Sequence, residues 1–187
     1  MKTKQPNFHG LQISTLGLGG SRFGSVTGAT RKEAEALIKI ALENDITFFD
    51  TASSYGQGDS ERIMGKILRS NDQICLVTKI GKNVPLKARL LRPLKPLIRI
   101  SARRSSNLGD QVKQTRGDKL PVCFDKAYLQ KQIDGSRRRI GVSCIPMVML
   151  HSPPKAVLDK GDAVDFLEDQ RIKGNIRVVG VSVDDLP

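Results

Sequence analysis

The 187-residue sequence contains no tryptophan, two tyrosines, two histidines and three cysteines, and each scarcity excludes something. His9 and His151 are the only imidazoles, and no carboxylate–histidine cluster stands at ligand spacing, so a metal hydrolase fails on inventory. Cys75, Cys123 and Cys144 are an odd number at spacings that match neither a zinc site nor a disulfide framework. Reduced thiols in a cytoplasmic protein are the plain reading. No apolar run approaches the eighteen or so residues of a membrane span. The basic start, Met1-Lys-Thr-Lys-Gln-Pro6, has no apolar stretch behind it and is not read as a signal peptide. The length fits a single domain over 1–187 with enough chain to bury a core.

Negative charge is also in short supply: 31 Lys and Arg face 19 Asp and Glu, a net charge of +12. Residues 82–120 hold eleven of the basic residues and two Asp, a net of +9, so the other 148 residues are nearly neutral at +3. Pro85, Pro93 and Pro96 interrupt any long helix in that segment, which reads as an irregular excursion with short helical pieces around Leu97–Arg104. A solvated surface loop is the plain reading. The functional alternatives are an anion-lined lip over an active site, or a patch for an acidic partner or a membrane surface. The segment has no Phe, Tyr or Trp to stack on bases, which argues against nucleic acid.

The rest of the chain alternates two patterns. Short runs rich in Val and Ile predict strands at Thr15–Leu18, Ile46–Phe49, Ile74–Val77, Pro146–Leu150 and Ile176–Val181. Between them, helical spacing predicts four helices. In Lys32–Asn44 the apolar positions Ala34, Leu37, Ile38, Ala41 and Leu42 form one stripe, with Thr30 and Glu33 as a capping box. Ser60–Arg69 repeats the stripe with Ile63, Met64, Ile67 and Leu68. Phe124–Ile140 ends on Arg137-Arg-Arg139, a basic last turn that the helix dipole alone explains, and Ala163–Lys173 stops at Gly174. Continuous apolar strands alternating with helices mean α/β class and a parallel sheet buried on both faces.

An open doubly wound sheet and a closed eight-stranded barrel both satisfy that pattern. Gly17-Leu-Gly-Gly-Ser-Arg-Phe-Gly24 superficially resembles a dinucleotide fingerprint, but GxGxxG needs glycine where Arg22 stands. The following helix also starts too late to cradle a pyrophosphate. A tight barrel rim fits the turn better. Each later strand runs into a polar residue: Asp50, Lys79, His151 and Ser182. In a parallel barrel those ends converge on one rim, where catalytic groups sit. Tyr55, in the turn after Asp50, can curl back over the same rim.

These residues carry a family resemblance. Phe49-Asp-Thr-Ala-Ser-Ser-Tyr-Gly-Gln-Gly-Asp-Ser-Glu61 resembles the signature that follows the second strand of aldo-keto reductases. Val77-Thr-Lys79, Leu150-His-Ser152 and Val179-Gly-Val-Ser182 are similar to that family's third, fourth and fifth strand ends, in order. The match covers residues 11–80 and 122–186, with the 82–120 segment as an insertion after strand three. It implies strands one to five of a (β/α)8 TIM barrel that reduces an aldehyde or ketone with a nicotinamide cofactor, NADPH or NADH, of which NADPH is the usual one. Under the resemblance, Tyr55 is the general acid and Lys79 favours its ionisation, a free phenol having a pKa of about 10. Asp50 fixes Lys79 by ion pairing, and His151 hydrogen-bonds and orients the substrate carbonyl. Ser182 holds the nicotinamide carboxamide, Asp50 lies beside its ribose, and Gly20 and Ser21 are further cofactor candidates.

Two departures stand out. Family members commonly place Asn after the serine of strand five, where this chain has Val183. The sequence also stops at Asp184-Asp-Leu-Pro187, just past that strand, so the resemblance predicts a truncated barrel lacking strands six to eight and much of the cofactor site. Open edges at strands one and five predict self-association. The competing expectation is a non-catalytic barrel fragment that binds an acidic partner through basic residues such as Arg103 and Arg104.

Overall fold

The computed structural model describes residues 7–8, 11–85, 94–104 and 120–183. A two-residue pair, β1 (Asn7–Phe8) against β2 (Leu11–Gln12), precedes the main sheet. That sheet has five parallel strands, β3 (Gly17–Gly19), β4 (Phe48–Asp50), β5 (Cys75–Ile80), β6 (Ile145–His151) and β7 (Ile176–Ser182). They lie side by side in chain order. A doubly wound sheet reverses its strand order at a switch point; this one winds in a single direction, as an arc of a barrel does.

The helices are α1 (Arg31–Glu43), α2 (Asp59–Leu68), α3 (Lys95–Arg104), α4 (Lys126–Ile140), α5 (Lys155–Lys160) and α6 (Asp162–Ile172). α1 begins on the expected capping box: the Glu33 N–H donates to Thr30 Oγ1 at 3.3 Å, and the Thr30 N–H donates to Glu33 Oε2 at 2.7 Å. The four expected helices and five expected strands form within a few residues of their predicted bounds. The largest displacement is at the end of β5, which runs three residues past the expected Val77 to Ile80, and β3 runs through Gly17–Gly19 where the turn was expected to begin. The β1–β2 pair and the short α5 carry no periodicity long enough to read.

Successive side chains of a strand face opposite ways, and the sheet uses this to make two cores. On one face Phe49, Leu76, Ile80, Val148 and Leu150 pack with the stripes of α1, α2, α4 and α6. The opposite face carries Cys75, Val77, Met147 and Val178, and Leu11 of β2 joins that cluster. Farther along the same strands, register places Asp50, Lys79, His151 and Ser182 on this second face at the C-terminal ends. Ser14 and Thr47 tie the approach to β3 to the base of β4 through reciprocal N–H···O bonds, both 2.9 Å.

Of the basic segment, α3 is described, and Lys82 bridges to Val122 at its base. Segments 86–93 and 105–119, the side chains of Arg103 and Arg104, and residues 184–187 lie outside the described residues. Among the described residues no helix is long and apolar enough to cross a membrane.

Candidate active site

Lys79 stands near the end of the central strand β5 and is only 6% exposed. A buried ammonium needs partners, and two are present. Its Nζ donates to Asp50 Oδ1 across the β4–β5 pair and to the Thr51 carbonyl at 3.3 Å. Asp50 keeps a third of its side chain accessible, so the pair has one buried and one partly solvated member.

Tyr55 lies directly over that ammonium, with Lys79 Nζ 5.2 Å from the centroid of its ring. That separation is within the range of a cation–π contact. The His151 ring, at the end of β6, meets the Tyr55 ring edge to face at 5.8 Å between centroids and 88° between planes. Acid, ammonium, phenol and imidazole thus converge from β4, β5, β6 and the turn after β4.

That turn is unusual. Tyr55–Gly58 is a tight turn with left-handed backbone, because Gly56, Gln57 and Gly58 all have positive φ, at 55°, 59° and 84°. Glycine adopts this region freely, whereas Gln57 does so at about 1–2 kcal/mol. Surrounding bonds hold the turn. The Ser53 N–H donates to the Lys79 carbonyl at 3.0 Å and the Thr51 N–H to the Val77 carbonyl at 2.9 Å. Thr51 Oγ1 donates to Ser60 Oγ at 2.7 Å, and Ser60 Oγ donates to the Gly20 carbonyl at 2.9 Å.

Gly20 is therefore part of the rim's own packing. Its N–H donates to the Asp50 carbonyl at 2.7 Å, and a Cβ there would lie 2.6 Å from both Ser60 Oγ and Met64 Cε. Ser21, the next residue, is exposed and outside this hydrogen-bond chain. Ser182 pairs in register with His151, and the Ser152 N–H donates to the Ser182 carbonyl at 2.7 Å. Val183, exposed beyond it, brings no amide to this end of β7.

Three polar atoms around the site bear on whether it is shaped for a ligand. Ser53 Oγ, Gln57 Oε1 and Ser152 Oγ are buried without a hydrogen-bond partner among the described residues. Ser152 also has a φ of 48°, a conformation that non-glycine residues seldom adopt. Buried polar atoms are normally paired, and such exceptions gather where a ligand completes the bonding. With a cation, a phenol, an imidazole and hydroxyls at one rim, the donor set suits a carbonyl compound and the carboxamide of a nicotinamide. No group of described His, Cys, Asp and Glu residues could hold a metal ion.

The signature also contains a buried acid with a structural part. Glu61 is fully buried, accepts from Thr78 Oγ1 at 2.7 Å and pairs with Arg139 Nε, tying α2 to β5 and α4. Its position three residues before Met64 and seven before Leu68 puts it on the apolar stripe of α2. An acid on such a stripe requires a buried partner, and this is the signal in the sequence. Arg139 supplies that partner, beyond the dipole role expected of the Arg137–Arg139 run. Arg137 Nη1 donates to Asn175 Oδ1 at 3.0 Å.

The family model described as "Aldo/keto reductase family" matches residues 15–186. A D-threo-aldose 1-dehydrogenase of Pseudomonas sp is 31% identical over 92% of this chain and 50% of its own length. A pyridoxal 4-dehydrogenase of Microbacterium luteolum is 25% identical over 94% of this chain and 54% of its own. Among solved structures, aldo-keto reductase AKR11C1 from Bacillus halodurans superposes with a TM-score of 0.71 at 24% identity, covering 98% of this chain and 51% of that one. An aldo-keto reductase from Klebsiella pneumoniae in complex with NADPH gives 0.64 at 22%, covering 99% and 51%. The chain spans about half the length of the curated relatives it matches. Its five parallel strands are a partial TIM barrel, and with four ordered motifs and a family match over nearly its whole length, the chain belongs to the aldo-keto reductase family.

Proposed function

We propose that the rim of β4–β7 is the site of an NADPH-dependent oxidoreductase that interconverts an aldehyde or ketone and its alcohol. The observation that carries the reading is the stacked set itself: the Asp50–Lys79 pair, the Tyr55 ring 5.2 Å from the ammonium, and the His151 ring edge-on to it. The complexes of a Klebsiella pneumoniae relative with NADPH and with NADP support the choice of cofactor.

When bound, the reduced nicotinamide supplies the hydride that the carbonyl carbon accepts. The protein's own residues handle the proton and the geometry. Tyr55 Oη gives its proton to the carbonyl oxygen, so that oxygen becomes the hydroxyl of the alcohol, still bonded to its carbon, and the tyrosine is left as phenolate. The neighbouring Lys79 ammonium stabilises that negative charge, which is the part of the event a buried cation assists most. Asp50 holds the ammonium in place and balances it before the proton moves. His151 donates to the carbonyl oxygen and fixes its direction, converting a loose encounter into an aligned one. Ser182 holds the nicotinamide carboxamide without help from the next position, where Val183 has no side-chain amide.

The test is NADPH oxidation by the purified chain with an activated small aldehyde. The wild type turns over, and Tyr55→Phe, which removes the hydroxyl that carries the transferable proton, loses about 10²–10⁴-fold, the range for general acid catalysis. Failure of the wild type to bind NADPH or NADH at millimolar concentration overturns the proposal.

A further inference from the structure

We infer that helix α3 of the basic segment is a clamp on the Tyr55 turn, with Lys95 as the positioning residue that acts on it. Lys95 Nζ donates to the Gly56 carbonyl, immediately after Tyr55, and to Asp59 Oδ2 at 2.8 Å, the first residue of α2. Its side chain is 15% exposed, so the ammonium is drawn into the protein. One cation thus bridges the two ends of the left-handed run Gly56–Gly58.

Arg99, one turn farther along α3 on the same face, repeats the arrangement on the neighbouring loop. Its guanidinium donates to the carbonyls of Ser25, Val26, Gly28 and Ala29, the last three at 3.2 Å. The two clamped loops touch each other, since a Cβ on Gly56 would lie 2.6 Å from the Phe23 carbonyl oxygen. α3 therefore fastens the loop after β3 and the turn bearing Tyr55 to one another. Charge-assisted bonds of this kind are the stronger sort, and a strained turn persists when its surroundings over-determine it. At least two of the eleven basic residues in 82–120 act inside the protein, which leaves them unavailable to an acidic partner.

The catalytic consequence rests on the proposal that Tyr55 donates the proton; the clamp itself does not. Hydrogen exchange on the whole chain decides the clamp without any turnover. In the wild type the Gln57 N–H donates to the Ser54 carbonyl at 3.0 Å, and the Asp59 N–H donates to the carbonyls of Gly56 and Tyr55. Lys95→Met is expected to speed exchange at these two amides by roughly tenfold while amides of β5 and β6 are unchanged. Lys95→Arg, which keeps the charge, restores protection. Where Lys95→Met does not fold, Asp59→Asn removes the same ion pair from the other side and is expected to give the same local change. With aldehyde and NADPH, kcat of Lys95→Met falls by about tenfold with KM for NADPH unchanged, as expected when an interaction acts on the transition state. Unaltered exchange at both amides, or a uniform rise across the whole protein, overturns the inference. An inactive wild type with locally faster exchange in Lys95→Met overturns the enzymatic reading and leaves the clamp standing.

Discussion

Replacing Asp50 by Asn should destabilise the protein far more than replacing Lys79 by Met, although both changes break the same ion pair. The difference follows from where the charges sit. Lys79 is 6% exposed, and without the Asp50 charge its ammonium keeps only neutral partners such as the Thr51 carbonyl at 3.3 Å and the Tyr55 ring at 5.2 Å. Stranding one member of a buried pair costs about 3–5 kcal/mol. Lys79→Met removes the buried cation and leaves a carboxylate with a third of its side chain in water. The new thioether joins the face of Val77, Met147 and Met149, so the loss is about 1 kcal/mol. Urea unfolding at pH 7 separates the two. With a slope of about 2 kcal/mol per molar, Asp50→Asn lowers the midpoint by about 1.5–2.5 M and Lys79→Met by about 0.5 M. Equal shifts, or a larger one for Lys79→Met, would refute the placement of the charge in the interior.

Glu61→Ala leaves Arg139 and the Thr78 hydroxyl without their shared carboxylate, and should cost about 3 kcal/mol in the same unfolding assay, against about 1 kcal/mol for Thr78→Val. Burial pushes the Cys75 thiol up to about 11, opposed by the charge of Arg177, from an ordinary value of 9.0. The unfolded chain therefore releases this proton first. The stabilisation is fully present below about pH 9 and declines by up to about 1.4 kcal/mol per pH unit toward pH 11. Cys75→Ala should flatten that part of the stability–pH curve, and native-state alkylation should label Cys123 and Cys144 but spare Cys75. Rapid labelling of Cys75 in the native state would contradict its place in the sheet.

The strands and their polar ends were legible because a strand buried on both faces is a continuous apolar run, and a polar residue closing such a run is conspicuous. Asp50, Lys79 and His151 each end one, and parallel register carries all three to the same rim. α1 was legible down to its capping box, since Thr30 and Glu33 declare its first turn. The clamp was not. The short helical piece expected around Leu97–Arg104 is α3, which starts two residues earlier because Pro96 falls in its first turn, where a missing N–H breaks no intrahelical bond. That Lys95 and Arg99 turn inward depends on carbonyls from residues 25–29 and 56, which no local pattern brings near them. The β1–β2 pair escaped for another reason: two-residue strands have no period, and Leu11 is recognisable as core only once β5, β6 and β7 lie beside it.

The central claim is that Tyr55 delivers the proton while a nicotinamide delivers the hydride to one carbonyl carbon at this rim. Transfer of label from NADPH deuterated at the reactive carbon tests it most directly, with the product alcohol read by mass spectrometry. The account predicts one deuterium at the former carbonyl carbon with the wild-type chain, and loss of that product by about 10²-fold or more in Tyr55→Phe. Deuterium lost to solvent, or undiminished labelled product from Tyr55→Phe, would contradict it.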